Sequence, residues 1–116
     1  MSKGWIGCDL DGTLAFYDEW HGVNHIGDPI PEMQKRVKEW IANNQEVRIF
    51  TARVALSNPN RLEARSAIQQ WCLEHFGVKL RVTAEKDFDM IELWDDRCIC
   101  VERNTGKIIG RNEFKK

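Results

Sequence analysis

The feature that most constrains this chain is a short apolar run near its beginning that ends in two acids. Residues 5–8 are apolar enough to form a buried strand, and Asp9, Asp11 and Gly12 follow at its end. Side chains two residues apart point to the same side of a strand, so the two carboxylates are expected to share one site. Ligands of open α/β sheets bind at the carboxyl ends of the strands. The pattern predicts a charged site there, with an ordinary Asp-Gly turn as the simpler alternative.

The size and charge of the chain limit the classes of protein to which it can belong. Its 116 residues suffice for a single hydrophobic core, but not for a core and a large second module. No run approaches the ~20 apolar residues of a membrane span, and Met1 is followed by no signal-peptide pattern. A cytoplasmic protein without membrane association is therefore expected. The net charge of -1 argues against tight nonspecific binding of nucleic acid, and these features leave the oligomeric state open.

Four cysteines are present, but their arrangement does not indicate a disulfide or metal framework. They form no C-x-x-C pair, so reduced, structural thiols are expected. Cys98 and Cys100 alternate with Ile99 and Val101, which predicts a strand with both thiols on one face, packed as small hydrophobic side chains.

Hydrophobic periodicity predicts two amphipathic helices. The first is expected to begin at Pro31 and to end at Asn43, and the second to begin near Pro59 and to stop at Gly77. Apolar residues at the helical interval predict the buried sides, which are Met33, Val37, Trp40 and Ile41 in the first helix and Leu62, Ala64, Ile68, Trp71, Cys72 and Phe76 in the second.

Strands are expected between and after these helices. Their predicted ranges are residues 5–8, 46–50, 78–82 and 90–94, followed by a closing hairpin of residues 98–101 and 107–109. This order predicts a parallel α/β sheet with a small antiparallel extension. Residues 15–31 are expected to form a loop or short hairpin over the end of the first strand.

Polar side chains follow each of the four predicted parallel strands. They are Asp9 and Asp11 after the first strand, Thr51 after the second, Lys86 shortly after the third, and Asp95 and Asp96 after the fourth. One such strand end is uninformative by itself. Four of them at the same edge of one sheet predict a site.

In this order, the residues resemble the four motifs of the haloacid dehalogenase-like (HAD) superfamily. The first motif is matched by residues 9–13, the second by Thr51, the third by Lys86 and the fourth by residues 95–96. Residues 6–96 also look like small phage and bacterial hydrolases related to the phosphatase part of polynucleotide kinase. The resemblance implies one Rossmann-like, three-layer domain over residues 1–116, with a central parallel sheet, a small C-terminal β-hairpin and no cap domain.

The resemblance also implies a Mg²⁺-dependent phosphatase. Asp9 would be the nucleophile that forms an aspartyl-phosphate, and Asp11 would protonate the leaving group and then activate water. Mg²⁺ would bind near Asp9, with the backbone carbonyl of Asp11 and the side chains of Asp95 and Asp96 as further direct or water-mediated ligands.

Three further side chains are candidates for binding phosphate. Thr51 and Lys86 would hold its remaining oxygens, with an ordinary strand threonine and a surface lysine as the alternatives. Arg53 is predicted either to reach a second phosphate or a substrate carboxylate, or to form a structural salt bridge.

The substrate is left open among phosphorylated nucleic-acid ends, nucleotides and phosphosugars. Without a cap the site is expected to be open, which favours a large substrate, and Phe16, Tyr17 and Trp20 are candidates for stacking on a base. A lapsed phosphate- or metal-binding module on the same scaffold is the alternative function. A dehalogenase is disfavoured because Asp11 and Asp95 are present.

Overall fold

The sheet consists of four parallel strands in the spatial order β3-β2-β1-β4. The computed structural model describes residues 4–110. The strands are β1 (Trp5–Asp9), β2 (Glu46–Phe50), β3 (Arg81–Thr83) and β4 (Met90–Trp94), and the helices are α1 (Pro31–Ala42) and α2 (Arg61–Phe76), with a short 3-10 helix at Ala52–Val54. The predicted α/β class and parallel sheet are confirmed.

The ends of both helices follow from local chemistry. Pro31 opens α1, where the first backbone N–H has no partner within the helix and proline therefore loses nothing. Gly77 ends α2 with φ +78°, a left-handed conformation that glycine adopts without steric cost. The predicted start near Pro59 is wrong by two residues. The Asn58 side chain accepts a hydrogen bond from the Asn60 backbone (3.0 Å), and this turn delays the helix to Arg61.

Both helices pack on the same face of the sheet. Val47 and Ile49 alternate with exposed or half-exposed neighbours along β2, and they join one buried cluster with side chains of α1 and α2. The chain moves from β1 through β2 to β3 in one direction, and right-handed crossovers then place both helices on one side. The buried helix residues are Met33, Val37, Ala64, Ile68, Trp71 and Cys72; Leu62, predicted to be buried, is exposed.

A tryptophan and a connecting segment cover part of the opposite face. Trp5 is fully buried, and the guanidinium of Arg48 lies 4.3 Å from its ring centroid. Gly7 makes room for this arrangement, since a Cβ there would lie 2.5 Å from the Met90 side chain and 3.2 Å from Trp5. Residues 4–110 contain no helix on this face. They therefore form two of the three predicted layers, the sheet and one layer of helices.

Residues 84–89 carry the chain from β3 to β4 across this second face. Asp87 accepts a hydrogen bond from the Trp5 indole N–H (2.8 Å) and lies 3.6 Å from Arg48. The third strand is Arg81–Thr83 rather than residues 78–82 as predicted, because the chain leaves the end of α2 without pairing until Arg81.

The C-terminal segment differs from the prediction in its detail. Within residues 98–110 one antiparallel bridge pairs Val101 with Ile108, and no strand is formed around it, so the hairpin remains a prediction. Cys98 and Cys100 are free and exposed, which corrects the expectation that they pack as hydrophobic side chains. Cys8 and Cys72 are free and buried, and burial raises the pKa of both thiols to about 12.

Candidate functional site

A cavity of about 850 Å³ lies at the carboxyl ends of the strands. Its wall includes the polar strand-end residues predicted from the sequence, together with aromatic and basic side chains from the surrounding loops. The lining residues are Asp9, Asp11, Gly12, Tyr17, Trp20, Phe50, Thr51, Ala52, Arg53, Ala55, Asn58, Ala84, Asp95, Asp96 and Arg97. Six of the seven predicted site residues therefore meet in one cavity.

Three carboxylates converge in this cavity. One oxygen of each of Asp9, Asp95 and Asp96 can be chosen so that all three atoms lie within 4.8 Å of one another. These residues are called the acid trio below. Asp9 ends β1 and the other two follow β4, which lies beside β1 in the sheet. Among residues 4–110, no ion pair neutralises the acid trio.

Thr13 connects two members of the acid trio, and Gly12 leaves space for one of them. The Thr13 hydroxyl lies 3.2 Å from Asp9 Oδ2 and 2.9 Å from Asp96 Oδ1, and it accepts a hydrogen bond from the Asp96 backbone N–H (2.9 Å). Gly12 has φ +93°, and a Cβ at this position would lie 2.7 Å from Asp96 Oδ2. The glycine thus permits both the turn and the close approach of the Asp96 carboxylate.

Burial and the neighbouring acids make ionisation of Asp9 difficult. Burial is the largest cause, followed by a hydrogen bond with Asp96 and the charge of Asp95, while the Thr13 hydroxyl acts in the opposite direction. Together they raise the pKa of Asp9 to about 7. The protein without a cation therefore keeps a proton on this carboxyl group to a much higher pH than an ordinary aspartate does.

Asp11 has an entirely different partner. Arg53 donates two hydrogen bonds to it, from Nε to Oδ2 and from Nη2 to Oδ1, both of 2.8 Å. This bidentate geometry is the strongest form of arginine–carboxylate pairing. The Arg53 side chain is only 5% exposed and that of Asp11 22%. Of the two alternatives for Arg53, the geometry therefore shows the salt bridge, with Asp11 as its partner.

The guanidinium of Arg53 is held on further sides. It donates to the backbone carbonyls of His25 (3.0 Å) and Val23 (3.4 Å), and its central carbon lies 4.8 Å from the centroid of the Trp20 ring. The loop of residues 15–31 thus closes over Arg53. The loop itself is fixed by an antiparallel bridge between Ala15 and Pro29.

Thr51 is placed in the cavity wall, as predicted. It is 4% exposed, and its hydroxyl accepts a hydrogen bond from the Arg53 backbone N–H (3.1 Å) at the start of the short 3-10 helix. The residue follows β2 directly, so its position is set by the sheet.

Lys86 is the predicted site residue that the structure does not bring to the cavity. It is exposed and is not among the cavity-lining residues of the described chain. Thr83 explains this, since its hydroxyl accepts a hydrogen bond from the Glu85 backbone N–H (3.0 Å) and the chain turns toward the second face. Only six residues connect β3 to β4, so the chain leaves the carboxyl edge at once.

Several site residues were not assigned a role by sequence reasoning. Thr13 belongs to the motif at the end of β1, and its spacing of four from Asp9 was a usable signal. Asn58, which donates to the Arg53 carbonyl (2.6 Å), and Arg97, which lines the cavity, had no signal in the sequence. Their positions depend on how loops from distant parts of the chain meet.

Comparison of the chain with models of protein families, with curated proteins and with solved structures finds no significant match. No helix in residues 4–110 is long and apolar enough to cross a membrane. The site must therefore be interpreted from its own geometry.

Proposed function

We propose that this protein is a magnesium-dependent phosphomonoesterase of the HAD type, with Asp9 as its nucleophile. The observation that carries the proposal is the acid trio, which gathers three carboxylates beside Asp11 in one cavity at a sheet edge. A single Rossmann-like domain without a cap completes the proposed class. The parallel sheet and the open cavity support it.

The donor set of the acid trio fits a hard divalent cation. Its available ligands are carboxylate oxygens, which Mg²⁺ prefers, and no ion pair among residues 4–110 balances them. We assign the metal site to Asp9, Asp95 and Asp96, with the backbone carbonyl of Asp11 as a further candidate ligand. Bound Mg²⁺ would neutralise the charge that develops on the transferring phosphate.

In the proposed reaction the two acids at the end of β1 have different roles. A carboxylate oxygen of Asp9 attacks phosphorus, and the bond between phosphorus and the leaving oxygen breaks as Asp11 donates a proton to that oxygen. Asp11 then accepts a proton from water, whose oxygen attacks phosphorus and releases Asp9 and inorganic phosphate. Both oxygens of Asp11 accept hydrogen bonds from Arg53, an arrangement that suits a carboxylate acting as the base in the second step.

The remaining phosphate oxygens are assigned to groups that line the cavity. The Thr51 hydroxyl is one of them, supported by its place at the end of β2. Arg97 is the second, because it is the lining cation that forms no ion pair within the described chain. Lys86 lies outside the cavity and has no part in this assignment.

The direct test combines turnover with trapping of the intermediate. Purified protein is assayed against nucleotides, phosphosugars and 3′-phosphorylated oligonucleotides, with Mg²⁺ and with chelator, and is then quenched in acid for mass measurement. We expect Mg²⁺-dependent release of phosphate and the mass of one phosphoryl group on the peptide that contains Asp9. Metal and phosphate binding without any turnover would instead identify a binding module, and full activity in chelator would contradict the metal assignment.

A further inference from the structure

We propose that Trp20 is a stacking platform for a nucleobase attached to the reacting phosphate group. The substrate would then be a nucleotide, either free or at the end of an oligonucleotide. This inference rests on the proposed phosphatase function and names the substrate class of that site.

The first argument is the position of the Trp20 ring. It lines the cavity that contains the acid trio, and the residue is 53% exposed even though its ring lies 4.8 Å from the Arg53 guanidinium. An indole that packs on a buried cation and still exposes half of its surface offers that surface to the cavity. Together with Tyr17, which lines the same cavity, Trp20 forms an exposed aromatic surface of the kind that marks ligand-binding grooves.

The second argument is that the platform is held in place before any ligand arrives. Arg53 beneath the ring is 7% exposed and is fixed by Asp11 and by the carbonyls of Val23 and His25. The Trp71 indole N–H also donates to the carbonyl of Gly27 (3.1 Å), which ties the loop to α2. A preordered ring loses little conformational entropy when a flat ligand stacks on it.

The third argument is the distance from the chemistry. The Arg53 guanidinium donates to Asp11 (2.8 Å) and its central carbon lies 4.8 Å from the Trp20 ring centroid, so one guanidinium group contacts both the general acid–base and the ring. In a nucleotide, one sugar ring separates the phosphate from the base. A phosphate beside Asp9 and Asp11 therefore places an attached base within reach of Trp20.

The fourth argument is the size and character of the cavity. Its volume of about 850 Å³ lies in the upper part of the range of about 300–1,000 Å³ found for small-molecule sites. Tyr17 lines it as well and is 44% exposed, which adds a second aromatic surface. A sugar phosphate without a base would leave both rings in water, whereas a nucleobase would cover them.

The test compares two substrates that differ only in the base. We would measure kcat/KM for adenosine 5′-monophosphate and for ribose 5-phosphate with the wild type, Trp20→Ala and Trp20→Phe. Stacking on one aromatic side chain corresponds to a preference of about tenfold or more for the nucleotide. We expect this preference in the wild type, a ratio near one in Trp20→Ala, and most of the preference in Trp20→Phe. A 3′-phosphorylated oligonucleotide in the same assay distinguishes a chain end from a free nucleotide.

Phe16→Ala is the matched control. Phe16 was predicted with Tyr17 and Trp20 to stack on a base, but the structure places it outside the cavity lining. It is 60% exposed, and its removal should leave the ratio unchanged. Equal rates for the two substrates in the wild type would overturn the inference. An equal loss for both substrates in Trp20→Ala would also overturn it, since the ring would then act as a lid over any phosphate.

A binding measurement separates this inference from the proposed function. Asp9→Asn retains the shape of the side chain. With this variant, calorimetry in the presence of Mg²⁺ would give the Kd of adenosine 5′-monophosphate and of ribose 5-phosphate. Tighter binding of the nucleotide that Trp20→Ala abolishes supports the platform even if no turnover is found in the wild type. If the two Kd values are equal and the wild type is an active phosphatase, the stacking inference is rejected while the proposed function stands.

Discussion

Asp9 and Asp11 stand two residues apart and line the same cavity, yet the structure gives them opposite electrostatic surroundings. Asp9 belongs to the acid trio, where burial and neighbouring acids raise its pKa to about 7. Asp11 is paired through two hydrogen bonds with a buried arginine. The difference teaches that identical side chains at one strand end obtain different electrostatic surroundings from their neighbours. Within residues 4–110 no basic side chain forms an ion pair with the acid trio, whereas Asp11 is already paired with Arg53.

The largest expected effect comes from replacing Asp9 or Asp11, and substrates with different leaving groups distinguish their two proposed roles. Asp9→Asn removes the proposed nucleophile and should lower kcat on the order of 10⁴-fold with every substrate. Asp11→Asn should lower kcat about 10²–10⁴-fold with an alkyl phosphate. The aryloxide of an aryl phosphate leaves without needing a proton. An aryl phosphate should therefore restore much of the rate of the first step in Asp11→Asn, but not in Asp9→Asn. Burst kinetics with both substrates measure this. Equal rescue of the two variants would show that the roles are wrongly divided.

The next prediction breaks the Arg53–Asp11 pair. Arg53→Ala leaves Asp11 partly buried without its partner, which should lower the free energy of unfolding by about 3 kcal/mol and kcat by about 10²-fold. Arg53→Lys keeps the charge but not the two-pronged geometry, so an intermediate loss is expected. Denaturant unfolding and kcat are the measurements.

Arg36→Ala is the control for that experiment. Arg36 forms a solvent-exposed pair with Glu32, 3.6 Å apart, and its loss should cost less than about 1 kcal/mol. Similar stability losses for Arg36→Ala and Arg53→Ala would contradict the expectation that the buried Arg53–Asp11 pair matters more for stability than the Arg36–Glu32 pair.

A third prediction tests how closely the acid trio is packed. In Gly12→Ala the new Cβ would lie 2.7 Å from Asp96 Oδ2, so the carboxylate must move. We expect Mg²⁺ affinity and kcat to fall about tenfold, since disturbing the surroundings that orient metal ligands typically costs about 10–100-fold. The affinity is read from the Mg²⁺-dependent rise in Tm.

Gly22→Ala is the control that distinguishes the contact with Asp96 from the strain of placing alanine at positive φ. Gly22 also has positive φ, at +106°, but a Cβ there would meet nothing within 4 Å. It should lower Tm without changing Mg²⁺ affinity. If both alanine variants lose affinity equally, the close approach to Asp96 is not what matters.

The smallest expected effect concerns pH. Because folding raises the pKa of Asp9 from 3.8 to about 7, the folded protein binds the proton more tightly than the unfolded chain. In the absence of metal, the contribution of Asp9 is therefore fully present below pH 3.8 and is lost as pH rises to about 7. Asp9→Asn should remove this slope and, at pH 8, should be more stable than the wild type by on the order of 1 kcal/mol. Denaturant unfolding in chelator from pH 4 to pH 8 measures the free energy of unfolding of both proteins. If this free energy depends on pH in the same way in both, the raised pKa of Asp9 is refuted.

Much of the fold was predictable because it depends on local pattern. The strand before Asp9, the helix that opens at Pro31 and the glycine that ends the second helix each follow from residues within one turn or one strand. The sequence order also predicted that Asp9, Asp11, Thr51 and Asp95 meet, since the carboxyl ends of parallel strands share one edge. The magnesium and phosphatase assignments remain predictions that rest on this meeting.

Only the tertiary structure decided which charges became partners. Nothing near Arg53 in the chain indicates Asp11, 42 positions away, as its partner. Lys86 left the cavity because six residues had to cross the sheet, and Cys98 and Cys100 became exposed because no layer covers them within the described residues. Local sequence determines the direction of a backbone and the face of a side chain. Electrostatic partners, pKa shifts and cavities arise instead from contacts between segments that are distant in the chain.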